Sequence, residues 1–140
     1  MAKKRILVVE DDANIRNIIQ FLLDSKGYEV ITAATGPDGL QKAKTLDPDL
    51  ILLDVMLPGK NGFEICYEIK NDVRFTPMPI IILTATTKTS AKPDEYWKVR
   101  SRADDFITKP FKSADLLQRV ENLTKGDWRE RKDERQTFKI

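Results

Sequence analysis

Five short strand-like runs, separated by segments with helical periodicity, constrain the fold of this chain more than any other feature. The runs at 6–9 and 50–53 contain no polar residue, which is typical of strands covered on both faces in a parallel sheet. Strands are expected near 5–9, 28–33, 49–54, 80–84 and 105–108. The alternation predicts an α/β fold: a doubly wound, five-stranded parallel sheet with right-handed crossovers and helices on both faces.

The helix-period segments carry their own start and stop signals. The first has apolar residues at positions i, i+3, i+4, i+7 and i+8: Ile15, Ile18, Ile19, Leu22 and Leu23. Asp12 is its expected N-cap and Gly27 its expected end. Further helices are predicted near 37–45, near 62–70, and over 113–123 with Ser113 as N-cap. The segment 86–101 contains Pro93 and no clean apolar stripe, so we expect only a short or displaced fourth helix there.

Three acidic residues lie where two of the apolar runs stop. Glu10 and Asp11 follow Val9, and Asp54 follows Leu53. If the two strands are neighbours, these carboxylates converge at the edge of the sheet where ligands bind in such folds. Like charges packed this closely raise one another's pKa and cost free energy unless a cation neutralises them. The sequence therefore predicts a divalent cation site with a carboxylate left over for chemistry.

Composition excludes several other kinds of site. The 140 residues are 41% hydrophobic and 33% charged, which fits one compact domain. The chain has no histidine, which excludes imidazole metal sites, histidine-dependent triads and a phosphohistidine carrier. Cys66 is the single cysteine, so an internal disulfide and a thiolate zinc site are excluded, and we expect Cys66 to be a small core residue.

Charge and hydropathy bear on partners and location. The net charge of +2 lies in the last sixteen residues, and the residues before them have equal numbers of basic and acidic side chains. A body without excess positive charge argues against direct nucleic-acid binding. No stretch approaches the ~20 apolar residues of a membrane helix, and the N-terminus runs straight into a strand, so we expect a cytoplasmic protein without a membrane partner.

Four pieces of the sequence, in this order, resemble the receiver domain of two-component response regulators. They are ILVVEDD at 6–12, LDVMLPGKNG at 53–62, ILTA at 82–85 and ADDFITKPF at 103–111. The resemblance covers about residues 3–124 and leaves 125–140 as a charged C-terminal extension, helical or disordered. Chemotaxis receivers of this family have the flavodoxin-like strand order 2-1-3-4-5, so the resemblance implies that order here.

The resemblance implies a phosphoacceptor switch that uses Mg²⁺. Asp54 would take a phosphoryl group from a histidine kinase or phosphotransfer protein. Asp11 and Asp54 would bind Mg²⁺ directly, Glu10 through water, and Met56 through its backbone carbonyl. Such oxygen ligands suit Mg²⁺, which keeps several waters.

The resemblance also implies residues that sense the phosphoryl group. Lys109, held by a cis peptide bond to Pro110, and the hydroxyl of Thr84 would contact phosphoryl oxygens. Phe106 would then rotate inward, and the face formed by predicted helix four, strand five and helix five would signal a protein partner or an effector region absent from this chain. Phe106 lacks the hydroxyl of the commoner tyrosine. The stretch from Thr84 to Lys109 is a few residues longer than usual, and Arg102 stands where glycine is common.

The sequence also allows simpler interpretations of individual residues and two other functions. Asp12 alone is explained as a helix cap, Thr84 as a plain strand-end residue, and Phe106 as a partly buried aromatic. A phosphatase with an aspartyl nucleophile typically needs an acid two residues after the nucleophile, where this chain has Met56. A degenerate receiver acting as a binding scaffold predicts missing site residues, whereas all are present. We therefore expect no enzymatic activity beyond self-directed phosphotransfer and autodephosphorylation.

Overall fold

The computed structural model describes residues 3–85 and 101–130 and has five parallel strands in one sheet. The elements in chain order are β1 (Arg5–Val9), α1 (Ala13–Ser25), β2 (Glu29–Ala33), α2 (Gly36–Thr45), β3 (Leu50–Asp54), α3 (Gly62–Asn71), β4 (Ile80–Ala85), β5 (Asp105–Lys109) and α4 (Ser113–Leu123). The sheet order β2-β1-β3-β4-β5 confirms the predicted fold. The helix predicted within 86–101 lies outside the described residues apart from Ser101, so α4 is the helix predicted fifth.

Both faces of the sheet are covered, which explains the uninterrupted apolar runs. Leu7 and Val9 of β1 belong to one buried cluster, whereas Ile6 and Val8 belong to another. The first cluster includes residues of α2 and α3, and the second includes residues of α1 and α4. Cys66 is fully buried in the first cluster, as predicted, and burial raises the pKa of its thiol to about 12.

Local signals set both ends of α1 but not the start of α4. The Asp12 carboxylate accepts hydrogen bonds from the amides of Asn14 and Ile15, which confirms Asp12 as the cap of α1. Gly27, with φ of 87°, follows the end of that helix. The predicted cap Ser113 is wrong, because Ser113 is the first helical residue and the cap position is Lys112, which makes no side-chain capping bond.

The backbone at Arg102 has a conformation that favours glycine. Arg102 has φ of 62°, in the left-handed region that glycine adopts without steric cost. Its guanidinium donates a hydrogen bond to Asn71 Oδ1 at 2.9 Å. An arginine at this position therefore accepts backbone strain and gains a contact with the end of α3.

Residues after α4 return to the amino ends of the strands. Trp128 is only 3% exposed, and its indole nitrogen donates to the Pro48 carbonyl at 3.0 Å. The ring also lies 6.4 Å from that of Phe75. Arg129 is paired with Asp47 and Asp49, just before β3. Part of the charged C-terminal extension is thus packed on the body, while the domain boundary at 124 stays a prediction.

Among the helices of residues 3–85 and 101–130, none has both the length and the apolar character needed to cross a bilayer.

Candidate functional site

The acidic cluster follows from the pairing of β1 with β3. Val9 is opposite Leu53 in this parallel pair, so the residues that follow them lie side by side. Oxygen atoms of Glu10, Asp11 and Asp54 all lie within 4.8 Å of one another. The structure therefore brings the three predicted acids together at the carboxyl edge of the sheet.

The three carboxylates differ in their access to water. Glu10 has no exposed surface, and Asp54 is 4% exposed. Asp11, in contrast, is exposed, and with Met56 and Asn61 it lines an open cavity of about 330 Å³. Asp11 is thus open to solvent at this cavity, whereas Asp54 is nearly buried.

Lys109 joins the cluster from the end of β5. Its ammonium donates to Glu10 Oε1 at 3.0 Å and to Asp54 Oδ1 at 3.0 Å. The Lys109–Pro110 peptide bond is cis, as expected. The cation that partly neutralises the acids is therefore a side chain of the protein itself, which sequence reasoning did not foresee.

Burial and mutual contact perturb the ionisation of this group. Burial, followed by the hydrogen bond with Asp54, raises the pKa of Glu10 to about 7, against the lowering effect of Lys109. Burial lowers the pKa of Lys109, but its bonds to Glu10 and Asp54 outweigh this, and the net shift is upward. Lys109 is therefore charged at neutral pH, and the buried Glu10 holds its proton more tightly than an ordinary glutamate does.

The donor set fits a hard divalent cation. All three acids offer carboxylate oxygens, which Mg²⁺ prefers, and the exposure of Asp11 leaves room for the waters that Mg²⁺ keeps. Electrostatics favour the same occupant, because burial and the contact with Asp54 disfavour the charged form of Glu10 until positive charge is added.

The two expected switch residues lie on β4 and β5. Thr84 is opposite Thr108 in the β4–β5 pair, and its hydroxyl donates to the Ala85 carbonyl at 3.2 Å. Phe106 is partly buried and packs against the cluster that contains Leu53 and Ile82.

Two further residues hold the site and were missed by sequence reasoning. A side-chain carbon at Gly62 would overlap the backbone carbonyl of Asp54, so α3 begins directly against the phosphoacceptor candidate. Arg16 of α1 donates to the carbonyl oxygens of Glu10 at 2.8 Å and Asp11 at 3.4 Å. The glycine was visible in the motif at 53–62, whereas nothing in a single sequence marks Arg16.

Comparison with known proteins identifies the class. Residues 6–121 match the family described as the response regulator receiver domain, and the chain belongs to that family. Its members act as phosphoacceptor switches of two-component systems.

Two curated relatives carry the names of regulatory proteins. The chain is 42% identical over 123 residues to the alkaline phosphatase synthesis transcriptional regulatory protein PhoP of Bacillus subtilis, covering 86% of this chain and 48% of that protein. It is 40% identical over 118 residues to the DNA-binding response regulator MtrA of Mycobacterium tuberculosis, covering 84% and 49%. The chain thus spans about half the length of the curated relatives it matches.

One similar solved structure contains a magnesium ion. The receiver domain of a sensor histidine kinase from Pseudomonas aeruginosa PAO1 has a magnesium ion coordinated in its active-site cleft. It superposes with a TM-score of 0.77 at 30% identity, covering 89% of this chain and 100% of that one. This relative therefore binds Mg²⁺ within a fold that matches most of the present chain.

Proposed function

We propose that Asp54 is the phosphoacceptor of a two-component switch. The observation that carries the proposal is the position of this nearly buried carboxylate, which shares one strand edge with Glu10 and Asp11 and accepts a hydrogen bond from Lys109. The donor would be a phosphohistidine of a kinase or phosphotransfer protein. A carboxylate is a weak nucleophile, so its placement beside positive charge matters more than its basicity.

Mg²⁺ is part of this proposal. Asp11 and Asp54 would hold it directly, Glu10 through water, and Met56 through its backbone carbonyl. The ion would supply positive charge to phosphoryl oxygens during transfer.

The protein's own groups would carry the transfer. An Asp54 carboxylate oxygen forms the new bond to phosphorus as the bond from phosphorus to the histidine nitrogen breaks, and that nitrogen leaves with the electron pair. Lys109, already charged and within hydrogen-bonding distance of Asp54, would donate to a phosphoryl oxygen.

The new phosphoryl oxygens would also change the surface. They would attract Lys109 and the Thr84 hydroxyl, which now donates to Ala85. Inward packing of Phe106 would then reshape the face formed by the predicted helix within 86–101, β5 and α4, where a protein partner or an effector region would bind. The absence of nucleic-acid binding by this domain, its cytoplasmic location and its lack of turnover of other substrates stay predictions.

The test is intact-mass analysis after incubation with Mg²⁺ and acetyl phosphate. The wild type and Asp12→Asn should each gain the mass of one phosphoryl group, because asparagine replaces the Asp12 cap well. Asp54→Asn should gain none. Equal mass gain in Asp54→Asn would contradict the assignment, and equal labelling after chelation would contradict the need for Mg²⁺.

A phosphate-release assay with a phosphate ester separates the competing function. An aspartyl-nucleophile phosphatase would release phosphate from a phosphate ester continuously, whereas a switch takes up one phosphoryl group per molecule. Met56, where such a phosphatase typically has its second acid, has a 74% exposed side chain that offers no acidic group.

A further inference from the structure

Arg16 is the one side chain of α1 whose described hydrogen bonds reach back to the backbone of the acidic cluster. Its Nη1 donates to the Glu10 carbonyl at 2.8 Å and, more weakly, to the Asp11 carbonyl at 3.4 Å. Both carbonyls lie between the end of β1 at Val9 and the start of α1 at Ala13. These two carbonyls lie outside both elements, and the Arg16 side chain supplies a donor to each of them.

These bonds fix the direction in which Glu10 points. Its amide donates to the Ala33 carbonyl at 3.0 Å, which holds the peptide plane before its Cα. Arg16 holds the plane after it through the Glu10 carbonyl. A residue has only two soft backbone dihedrals, so holding both flanking planes fixes the direction of its side chain. The plane after Glu10 is also the plane before Asp11, whose orientation is constrained in the same way.

Arg16 and Lys109 contact different parts of the cluster. Lys109 donates to the carboxylates of Glu10 and Asp54, whereas Arg16 donates to backbone carbonyls. Lys109 therefore partly neutralises the carboxylates, and the contacts of Arg16 hold the backbone that carries them. Groups that orient metal ligands from behind typically change metal affinity by about 10–100-fold when they are removed.

We propose that Arg16 is a positioning residue for the acidic cluster: it holds the backbone of Glu10 and Asp11 so that their carboxylates meet Asp54. The inference rests on the proposed function, because it concerns the cation bound by those acids. The direction of the change in Mg²⁺ affinity distinguishes this positioning role from a purely electrostatic effect of Arg16. Loss of a nearby positive charge alone would strengthen Mg²⁺ binding, since like charges repel, whereas loss of positioning weakens it.

The experiment measures Mg²⁺ dissociation constants of the full chain by isothermal titration calorimetry. Arg16→Met keeps the long stem and helix propensity but removes every donor, and its Mg²⁺ affinity should fall by roughly tenfold. Arg16→Lys keeps a donor for the Glu10 carbonyl and should lose much less. Arg74→Ala, which removes an arginine that pairs with Asp72 away from the site, should bind as the wild type does. Labelling of Arg16→Met by acetyl phosphate should recover at saturating Mg²⁺.

Each result of the Mg²⁺ titration either supports or overturns the positioning role of Arg16. Unchanged or tighter Mg²⁺ binding by Arg16→Met would overturn the positioning role, even if its melting temperature without Mg²⁺ falls, and would leave the proposed function intact. A wild type that binds no Mg²⁺ would overturn both. If Arg16→Met does not fold, Arg16→Gln, which is neutral and too short to keep the stem, is judged by the same criterion.

Discussion

Replacement of Trp128 by alanine removes the largest side chain that anchors the segment after α4. This residue is 3% exposed, donates to the Pro48 carbonyl, packs near Phe75, and lies under the Arg129 guanidinium, 4.9 Å from its ring centre. All these contacts lie at the amino ends of the strands, at the edge opposite the acidic cluster. The substitution therefore perturbs stability without touching the candidate site.

The magnitude follows from the area and the bonds lost. A buried tryptophan removes roughly 150–250 Å² from water, which at ~25 cal/mol per Å² gives an upper bound of about 4–6 kcal/mol. The detached segment regains about 1–2 kcal/mol of backbone entropy per residue, so the loss saturates once residues 127–130 leave the surface. We expect the free energy of unfolding to fall by about 3 kcal/mol, near the low end for tryptophan-to-alanine changes.

The assay is urea unfolding of the full chain, followed by far-UV circular dichroism. Trp128→Phe keeps a ring but loses the donor to Pro48, and should cost about 1 kcal/mol. Lys125→Ala, at an exposed neighbouring position, should unfold as the wild type does. A loss for Trp128→Ala no larger than the roughly 0.5 kcal/mol of an ordinary surface substitution would refute the docking of this segment.

Two other predictions concern the packing at Gly62 and the ion pair between Arg74 and Asp72. Gly62→Ala should reduce phosphoryl labelling and stability, because the added carbon overlaps the Asp54 carbonyl, whereas Gly126→Ala, which has open space, should label normally by intact mass. The hydrogen bond from Arg74 lowers the pKa of Asp72 from 3.8 to about 2, so this pair stabilises the fold above pH 3.8 and its contribution is lost as the pH falls toward 2. The stability difference between the wild type and Asp72→Asn should therefore shrink over that range in urea titrations, and a constant difference would contradict the assignment.

Patterns that depend on neighbouring residues allowed much of the fold to be predicted. The apolar runs at 6–9 and 50–53 indicated strands covered on both faces, and the structure buries them on both. Strand adjacency was enough to bring Glu10 and Asp54 together, because parallel strands end at the same edge. The Asp12 cap was equally local, since its partners are two and three residues away.

Features that depend on distant partners were not predicted. Trp128 docks on Pro48, eighty positions earlier, and no periodicity marks such a contact. The bridge from Lys109 to Glu10 joins residues ninety-nine positions apart, so its role as a resident counter-charge emerged only from the folded chain. Ser113 failed as a cap because a suitable side chain does not decide where the first helical residue falls.

The bridge that Lys109 makes between Glu10 and Asp54 has a consequence for ion selectivity. The ammonium is tethered beside the carboxylates, so an arriving ion has to compete with it. Sodium or potassium would replace one positive charge by another and gain little, while a doubly charged ion brings a surplus. We therefore expect the lysine to favour divalent over monovalent cations at this site.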